Sequence, residues 1–389
     1  MSAWLHLPLD GVNVLDFSTL LPGPMASLLL AEAGAQVVKV ERPGGEEMRR
    51  YPYSFGEASA GFALLNRGKT SLCLDLKDEG ERRRLDPYIA AADVLIEQFR
   101  PGVMDRLGLG YESVRDINPR LIYCSITGYG QDGPRRDWAG HDLNYMADSG
   151  LLGLTRAADG APVLPPILAG DIAGGTYPAV INILLALRQR DASGVGCRLD
   201  IAMADNLFTF AFFGLGAGFA GGNWPRPGGE LVTGGSPRYN VYRTADDRYL
   251  AAAPLEDRFW QIFCDTIGLP VDLRDDKANP QEAIAAVARR IVTARADEWR
   301  QRMVGLDVCV SIVASLEDAA ADPAFAARHL FARKVSDGER TIPALPVPIA
   351  PGLRRTEETL GYPRLEDAAG KDDPVANSDT LPTGFRGPG

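Results

Sequence analysis

The chain has 389 residues, 46% hydrophobic and 24% charged, with 41 Lys and Arg against 51 Asp and Glu for a formal charge of −10. The length points to two or three domains and the composition to a globular protein, while the acidic balance argues against nucleic acid, whose binders need a basic face. Five widely spaced cysteines without a CxxC pair, and only three histidines, argue against both a disulfide framework and a Cys/His metal site.

The N-terminal "MSAWLHLPLD" lacks the basic n-region of a signal peptide. Next, "VNVLDFS" is an apolar run of strand length, and "GPMASLLLAEAGA" is a helix bracketed by Gly-Pro and Gly34. "QVVKVE" and "TSLCLDL" follow as strands, then "GERRRLDPYIAAA" as a helix in which Pro87 sets an interruption. "DVLIEQF" is another strand, "VMDRLGLGYESVRDINP" helical and "LIYCSITG" a further strand. Strands alternating with helices imply a parallel sheet covered by helices, with ligands at the carboxyl ends of its strands. Those ends are Ser18, Glu41, Gln98–Phe99 and Thr127–Gly128.

"DIAGGTYPAVINILLALRQRDA" reads as a helix with Asp171 at its N-cap. The uncharged run "LFTFAFFGLGAGFAGG" (207–222) is too short and glycine-rich to span a bilayer comfortably, so the expected location is the cytoplasm, with no membrane partner. Its Gly216, Gly218 and Gly221 match GxGxxG, but "NWPRP" follows instead of a helix, and we reject a dinucleotide site there. A Gly/Pro-rich connector then leads to a segment with its own strand and helices, "VYRTADDRYLAAAP", "EDRFWQIFCDTIG" and "EAIAAVARRIVTARADEWRQRM". The resulting division is 1–200 for the first part of a large domain, 201–224 as linker, 225–325 as small domain, 326–360 as a return, and 361–389 as a mobile tail.

Three residues carry candidate chemistry. Asp171 is an ordinary helix cap on one reading, and on the other a base or nucleophile beside glycines that admit a ligand. His141 in "AGHDLNY" is either an imidazole satisfied by Asp142 or a group that titrates near neutrality and works as acid or base. Glu256 in "PLEDRFW" opens a helix, where an acid also suits the dipole.

Taken together, "PLDGVNVLDFSTLLPGPMASLLLAEAGAQVVKVERPG", "DVLIEQFRPGVMDRLGLG", "LIYCSITGYGQDGP", "AGHDLNY" and "GDIAGG" occur in the order of the class III CoA-transferase family, which the chain resembles up to its tail. The resemblance implies an α/β fold: a Rossmann-like parallel-sheet large domain formed by both chain ends, a smaller inserted α/β domain, and an interlocked homodimer. Coenzyme A enters as part of the substrate, with no other cofactor and no metal. By position, Leu20 would line the CoA site, Arg42 would sit near the adenosine phosphates, Leu74 and Lys77 would flank the adenine, and Phe99, Arg100 and Arg106 would complete the cradle. Arg and Lys suit the phosphates through charge-assisted contacts.

The family divides at the catalytic residues. In its transferases the aspartate matching Asp171 attacks an acyl-CoA thioester, and a free carboxylic acid then accepts the CoA. In its α-methylacyl-CoA racemases the same aspartate and a histidine matching His141 act on opposite faces of the α-carbon, with a glutamate matching Glu256 in support. The imidazole at His141 and the loop "TGGSPRYNVY" are similar to the racemases; "LEDRFW" departs from their usual "IEPQF". The expected activity is racemisation of a 2-methylacyl-CoA, with CoA transfer through Asp171 as the alternative.

Overall fold

A computed structural model describes residues 6–157, 159–365 and 384–385. Six strands form one wholly parallel sheet: β1 (Asn13–Asp16), β2 (Gln36–Glu41), β3 (Thr70–Cys73), β4 (Val94–Glu97), β5 (Ile122–Thr127) and β6 (Cys197–Ala202). Their spatial order is β3-β2-β1-β4-β5-β6. The sequence explains this. β1, β4 and β5 are buried at every position, as parallel strands covered on both faces must be. The edge strand β6 instead places the exposed Arg198 and Asp200 on alternate residues. β1 pairs with both β2 and β4, so the strand order reverses there.

Helix α1 (Pro22–Glu32) follows β1, with Pro22 at its first position, where the missing N–H breaks no bond. The "GERRRLDPYIAAA" region divides into Glu79–Arg83 and Asp86–Ala91, and Pro87 stands in the first turn of the second helix. Likewise "VMDRLGLGYESVRDINP" breaks into Val103–Arg106 and Tyr111–Ile117, with Gly108 at φ 71° between them. α2 (Asp142–Asp148) follows β5. A π-helix, Gly170–Thr176, then runs into α3 (Tyr177–Ser193).

The chain divides into two compact units. One takes Met1–Ser149, Ile167–Thr209 and Pro323–Gly389, the other Gly150–Pro166 and Phe210–Asp322. These limits differ from the sequence-based ones. Residues 201–224, read as a linker, include the end of β6, a short helix Met203–Leu207 and helix α4 (Phe212–Gly221). Gly216, Gly218 and Gly221 lie inside α4, not at a strand–helix turn.

In the first unit the returning chain adds β10 (Lys334–Ser336), β11 (Thr341–Pro343) and β12 (Thr359–Gly361), a three-stranded sheet. Arg67, 1% exposed, joins this return to the N-terminal part: it pairs with Glu32 at 2.8 Å and donates to the Leu345 carbonyl. Of the segment read as a tail, Gly361 belongs to β12 and Phe385 is buried edge-on to Tyr88. Residues 366–383 and 386–389 lie outside the described residues. The second unit holds an antiparallel sheet of β7 (Asn240–Arg243), β8 (Tyr249–Ala252) and β9 (Val310–Ile312). Helices α5 (Asp257–Ile267), α6 (Pro280–Ile291) and α7 (Ala296–Met303) accompany it, and Trp260, Phe263, Ile291 and Trp299 form its core.

Candidate active site

The reversal of strand order between β1 and β4 opens a crevice at the carboxyl ends of the sheet, where ligands of such folds bind. A cleft of about 420 Å³ lies there. Its walls come from the loop after β1 (Leu20, Pro22), the turn after β4 (Gln98 to Pro101), the end of β5 (Ile126 to Gly128), and residues 136–145 with Asp171. Two of the four strand ends singled out from the sequence, Gln98–Phe99 and Thr127–Gly128, thus line it, and the loop just past Ser18 reaches it through Leu20. The end of β2 does not.

The walls are held by backbone bonds to side chains. Leu20 adopts φ 62°, a left-handed conformation unfavourable for a branched side chain, and its N–H donates to Glu46 Oε2 at 2.7 Å. Glu46 in turn pairs with the fully buried Lys39 at 3.1 Å, and Lys39 donates to the Ser18 carbonyl. On the facing wall, Gly23 N–H donates to Gln98 Oε1 at 3.1 Å.

His141 is exposed and lines the cleft. It is no core histidine. It stands at the N-cap of α2, where its N–H donates to Asn144 Oδ1 and its carbonyl accepts from Asn144 N–H. Asp171, in contrast, caps nothing. It sits within the first turn of the π-helix, whose N-cap is Ala169. Such π segments occur disproportionately at functional sites. Asp171 N–H donates to Asp142 Oδ1 at 2.9 Å, so the residue after His141 fixes the backbone of Asp171. Asp171 is pushed up from 3.8 to about 6, first by burial and then by the Asp142 charge, with His141 opposing. The cleft therefore brings together an imidazole and a carboxyl group poised near neutrality. Glu256 lies in the other unit, exposed at the N-cap of α5.

Among the expected CoA residues, Leu20, Phe99 and Arg100 line the cleft. Arg42, Lys77 and Arg106 are exposed and outside its lining. Arg42 donates to the Gly45 carbonyl and stands 3.7 Å from Glu47. Leu74 is fully buried in the hydrophobic core with Leu72 and Leu85.

Sequence reasoning missed Asp142, Tyr145 and Arg136. Tyr145 donates to the Gly140 carbonyl at 2.6 Å and stands edge-on to Tyr129. A Cβ on Gly128 or Gly140 would fall 2.5 or 2.7 Å from its ring. Gly140, which opens "GHDLNY", and Gly128, which closes "LIYCSITG", were its available signal. Arg136 adds a second guanidinium to the cleft besides Arg100. Among the described residues no group of acids, histidines and cysteines could hold a metal ion.

Comparison with known proteins is consistent with this geometry. The model of CoA-transferase family III matches residues 9–367. An acetyl-CoA:oxalate CoA-transferase from Acetobacter aceti is 34% identical, over 92% of this chain and 93% of its own length. The human α-methylacyl-CoA racemase is 36% identical, over 80% and 79%. The crystal structure of a CAIB/BAIF family protein from Brucella suis superposes with a TM-score of 0.80 at 29% identity, covering 94% of this chain and 99% of that one.

Proposed function

The chain belongs to CoA-transferase family III and is an enzyme, and from that premise we propose that it racemises a 2-methylacyl-CoA by two-base proton transfer between His141 and Asp171. The observation that carries the reading is the pairing, on one cleft, of an exposed imidazole with a carboxyl group raised to about 6. An efficient acid or base titrates near the working pH, and burial brings Asp171 toward that condition.

The thioester acidifies its α-hydrogen. One base removes it as a proton, and the electron pair left on carbon delocalises onto the thioester oxygen as an enolate. The other base, already protonated, delivers its proton to the opposite face and inverts the centre. The two bases end with exchanged protonation states and reset through solvent. Glu256 supports His141 in this reading. Arg100 and Arg136 meet anionic groups of coenzyme A, and Arg42, Lys77 and Arg106 complete its cradle, with Leu74 backing the adenine side from the core. Coenzyme A is part of the substrate and the cytoplasm is the proposed compartment.

CoA transfer is the second reading. Asp171 is the one carboxylate among the described residues that line the cleft. In that reaction it attacks the thioester carbonyl and expels the CoA thiolate, leaving a mixed anhydride. The thiolate then attacks the aspartyl carbonyl and releases the first acid, and an incoming carboxylate reverses both steps to form a new acyl-CoA.

The two are separated by incubating several 2-methylacyl-CoAs in D₂O with and without acceptor acids and weighing the thioesters by mass spectrometry. Racemisation gives α-deuterium without an acceptor. His141→Ala then slows removal from one enantiomer and Asp171→Ala from the other. Transfer to an added acid without exchange, with Asp171 trapped by hydroxylamine, would overturn racemisation.

We also assign an interlocked homodimer. α3 carries exposed Ile181 and Leu185 opposite buried Ile183 and Leu187, and α4 exposes Phe212, Phe213 and Phe219. Apolar surface of this kind is usually covered by a partner. A folded monomer in light scattering after dilution would refute it.

A further inference from the structure

Behind the turn that follows β4 lies a second, smaller cavity, with room for about one water centre, roughly 10 Å³. Glu97, the last residue of β4, sits at its base and is only 4% exposed. Its Oε2 accepts from Phe99 N–H at 2.8 Å, which folds the chain tightly from the strand into Gln98, Phe99 and Arg100. Those three residues line the cleft. Arg100 and Pro101 line both cavities, so one exposed guanidinium borders the ligand space on one side and the Glu97 chamber on the other.

The chamber is lined mostly by polar side chains, with Pro101 and Met104 among them. β5 contributes Tyr123 and Ser125, the latter directly paired with Glu97 in the sheet register. Arg198 comes from β6 and donates to Gln131 Oε1 at 3.0 Å, while Asp105 comes from the short helix Val103–Arg106 and Tyr111 from the one after it. Gln131 Nε2 is buried without a hydrogen-bond acceptor among the described residues. Among the charged groups here, Arg198 favours the Glu97 carboxylate, and Asp105 opposes it. Burial is stronger than both, and with the Ser125 hydroxyl and Phe99 N–H pulling the other way Glu97 still comes to about 7. An acid in this position changes charge across the neutral range.

We propose that Glu97 is a positioning residue for the anionic ligand of the cleft: its carboxyl oxygen accepts the Phe99 N–H and so fixes the turn that presents Gln98, Phe99 and Arg100 to the ligand. This rests on the reading that the cleft takes coenzyme A. The role needs an acceptor and not a charge. A neutral carboxyl, or an amide, still offers a carbonyl oxygen to Phe99 N–H, so the turn persists when the charge is lost.

Calorimetric titration of the full-length protein with free coenzyme A tests this role. Glu97→Ala removes the acceptor, and affinity falls about tenfold or more. Glu97→Gln keeps the acceptor, and its affinity stays within about twofold of wild type. Wild-type affinity in a folded Glu97→Ala overturns the turn-holding role, and a loss in Glu97→Gln as large as in Glu97→Ala refutes the claim that the acceptor and not the charge is required. Wild type that binds no coenzyme A at all defeats the underlying reading of the cleft, an outcome separate from these.

Discussion

Asp142 makes two contributions to Asp171, and they can be removed one at a time. Its Oδ1 accepts the Asp171 N–H at 2.9 Å, and its charge is the second cause, after burial, of the rise of Asp171 from 3.8 to about 6. That rise corresponds to about 3 kcal/mol against the ionised form, at roughly 1.4 kcal/mol per pH unit. Because burial is the larger cause and outweighs the opposing His141, deleting the Asp142 charge lowers the Asp171 value while leaving it above 3.8. Asp142→Asn keeps an oxygen that accepts from the Asp171 N–H and deletes the charge. Asp142→Ala deletes both.

The assay is the pH profile of kcat/KM for α-deuterium exchange, whose acid limb reports the base of the free enzyme. Activity that needs ionised Asp171 rises through about pH 6 in wild type. In Asp142→Asn the midpoint should move down from about pH 6 while staying above 3.8, with the plateau rate largely retained. In Asp142→Ala the midpoint also falls, but the rate drops because the first turn of the π-helix loses its anchor. An acid limb that stays in place or moves upward in Asp142→Asn would refute the reasoning.

Asp171→Asn should stabilise the protein above pH 6: the unfolded group titrates near 3.8 and the folded one near 6, so stability is lost as pH rises through that window. Chemical denaturation should register a gain of up to about 3 kcal/mol at pH 7.5 and almost none at pH 3.5. Gly128→Ala places a methyl group 2.5 Å from the Tyr145 ring, against which backbone or ring must shift; a loss of about 1 to 3 kcal/mol in thermal unfolding and a drop in activity are expected. Arg67→Met leaves Glu32 buried with Arg333 as its remaining charged partner, and a loss of about 3 kcal/mol or more in denaturant unfolding is expected, with no change in the acid limb of activity.

The sheet was legible because β1, β4 and β5 are buried at every position and read as short, mainly apolar runs, and β2 joins them although it carries the buried Lys39 and Glu41. The strand ends followed from the alternation of strands and helices, whereas the strand order, and with it the point of reversal, came from the fold. Asp171 was read as a cap because periodicity cannot distinguish a π turn from an α turn over seven residues, and Ala169 offers no cap signature. Asp142 was hidden by adjacency. Beside His141 it looked like a partner for the imidazole, whereas the start of α2 directs its carboxylate to a residue 29 positions on. Leu74 fell in a motif that the resemblance placed against adenine, yet its alternation with Leu72 already described a residue belonging to the core. Glu97 had no sequence signal beyond an acid at a strand end, and its burial depends on β5 and β6 packing beside it.

Under the proposed function an acidic chain takes a polyanion, an electrostatic problem that the groups around the cleft meet. The overall charge of −10 is spread over the surface, and exposed charges farther than about 8 Å from the ligand are screened at physiological salt. The nearby groups decide. Arg100 and Arg136 border the cleft, and the two acids that would oppose them, Asp171 and Glu97, are the ones burial has raised to about 6 and about 7. Desolvation thus weakens the repulsion that ionised carboxylates would exert on phosphates. The coupling also runs in reverse, because negative charge brought into the cleft disfavours the ionised form of Asp171 and raises it further. A carboxylate with a higher pKa is a stronger base, so under the proposed reaction the charge of the ligand strengthens the group that acts on it.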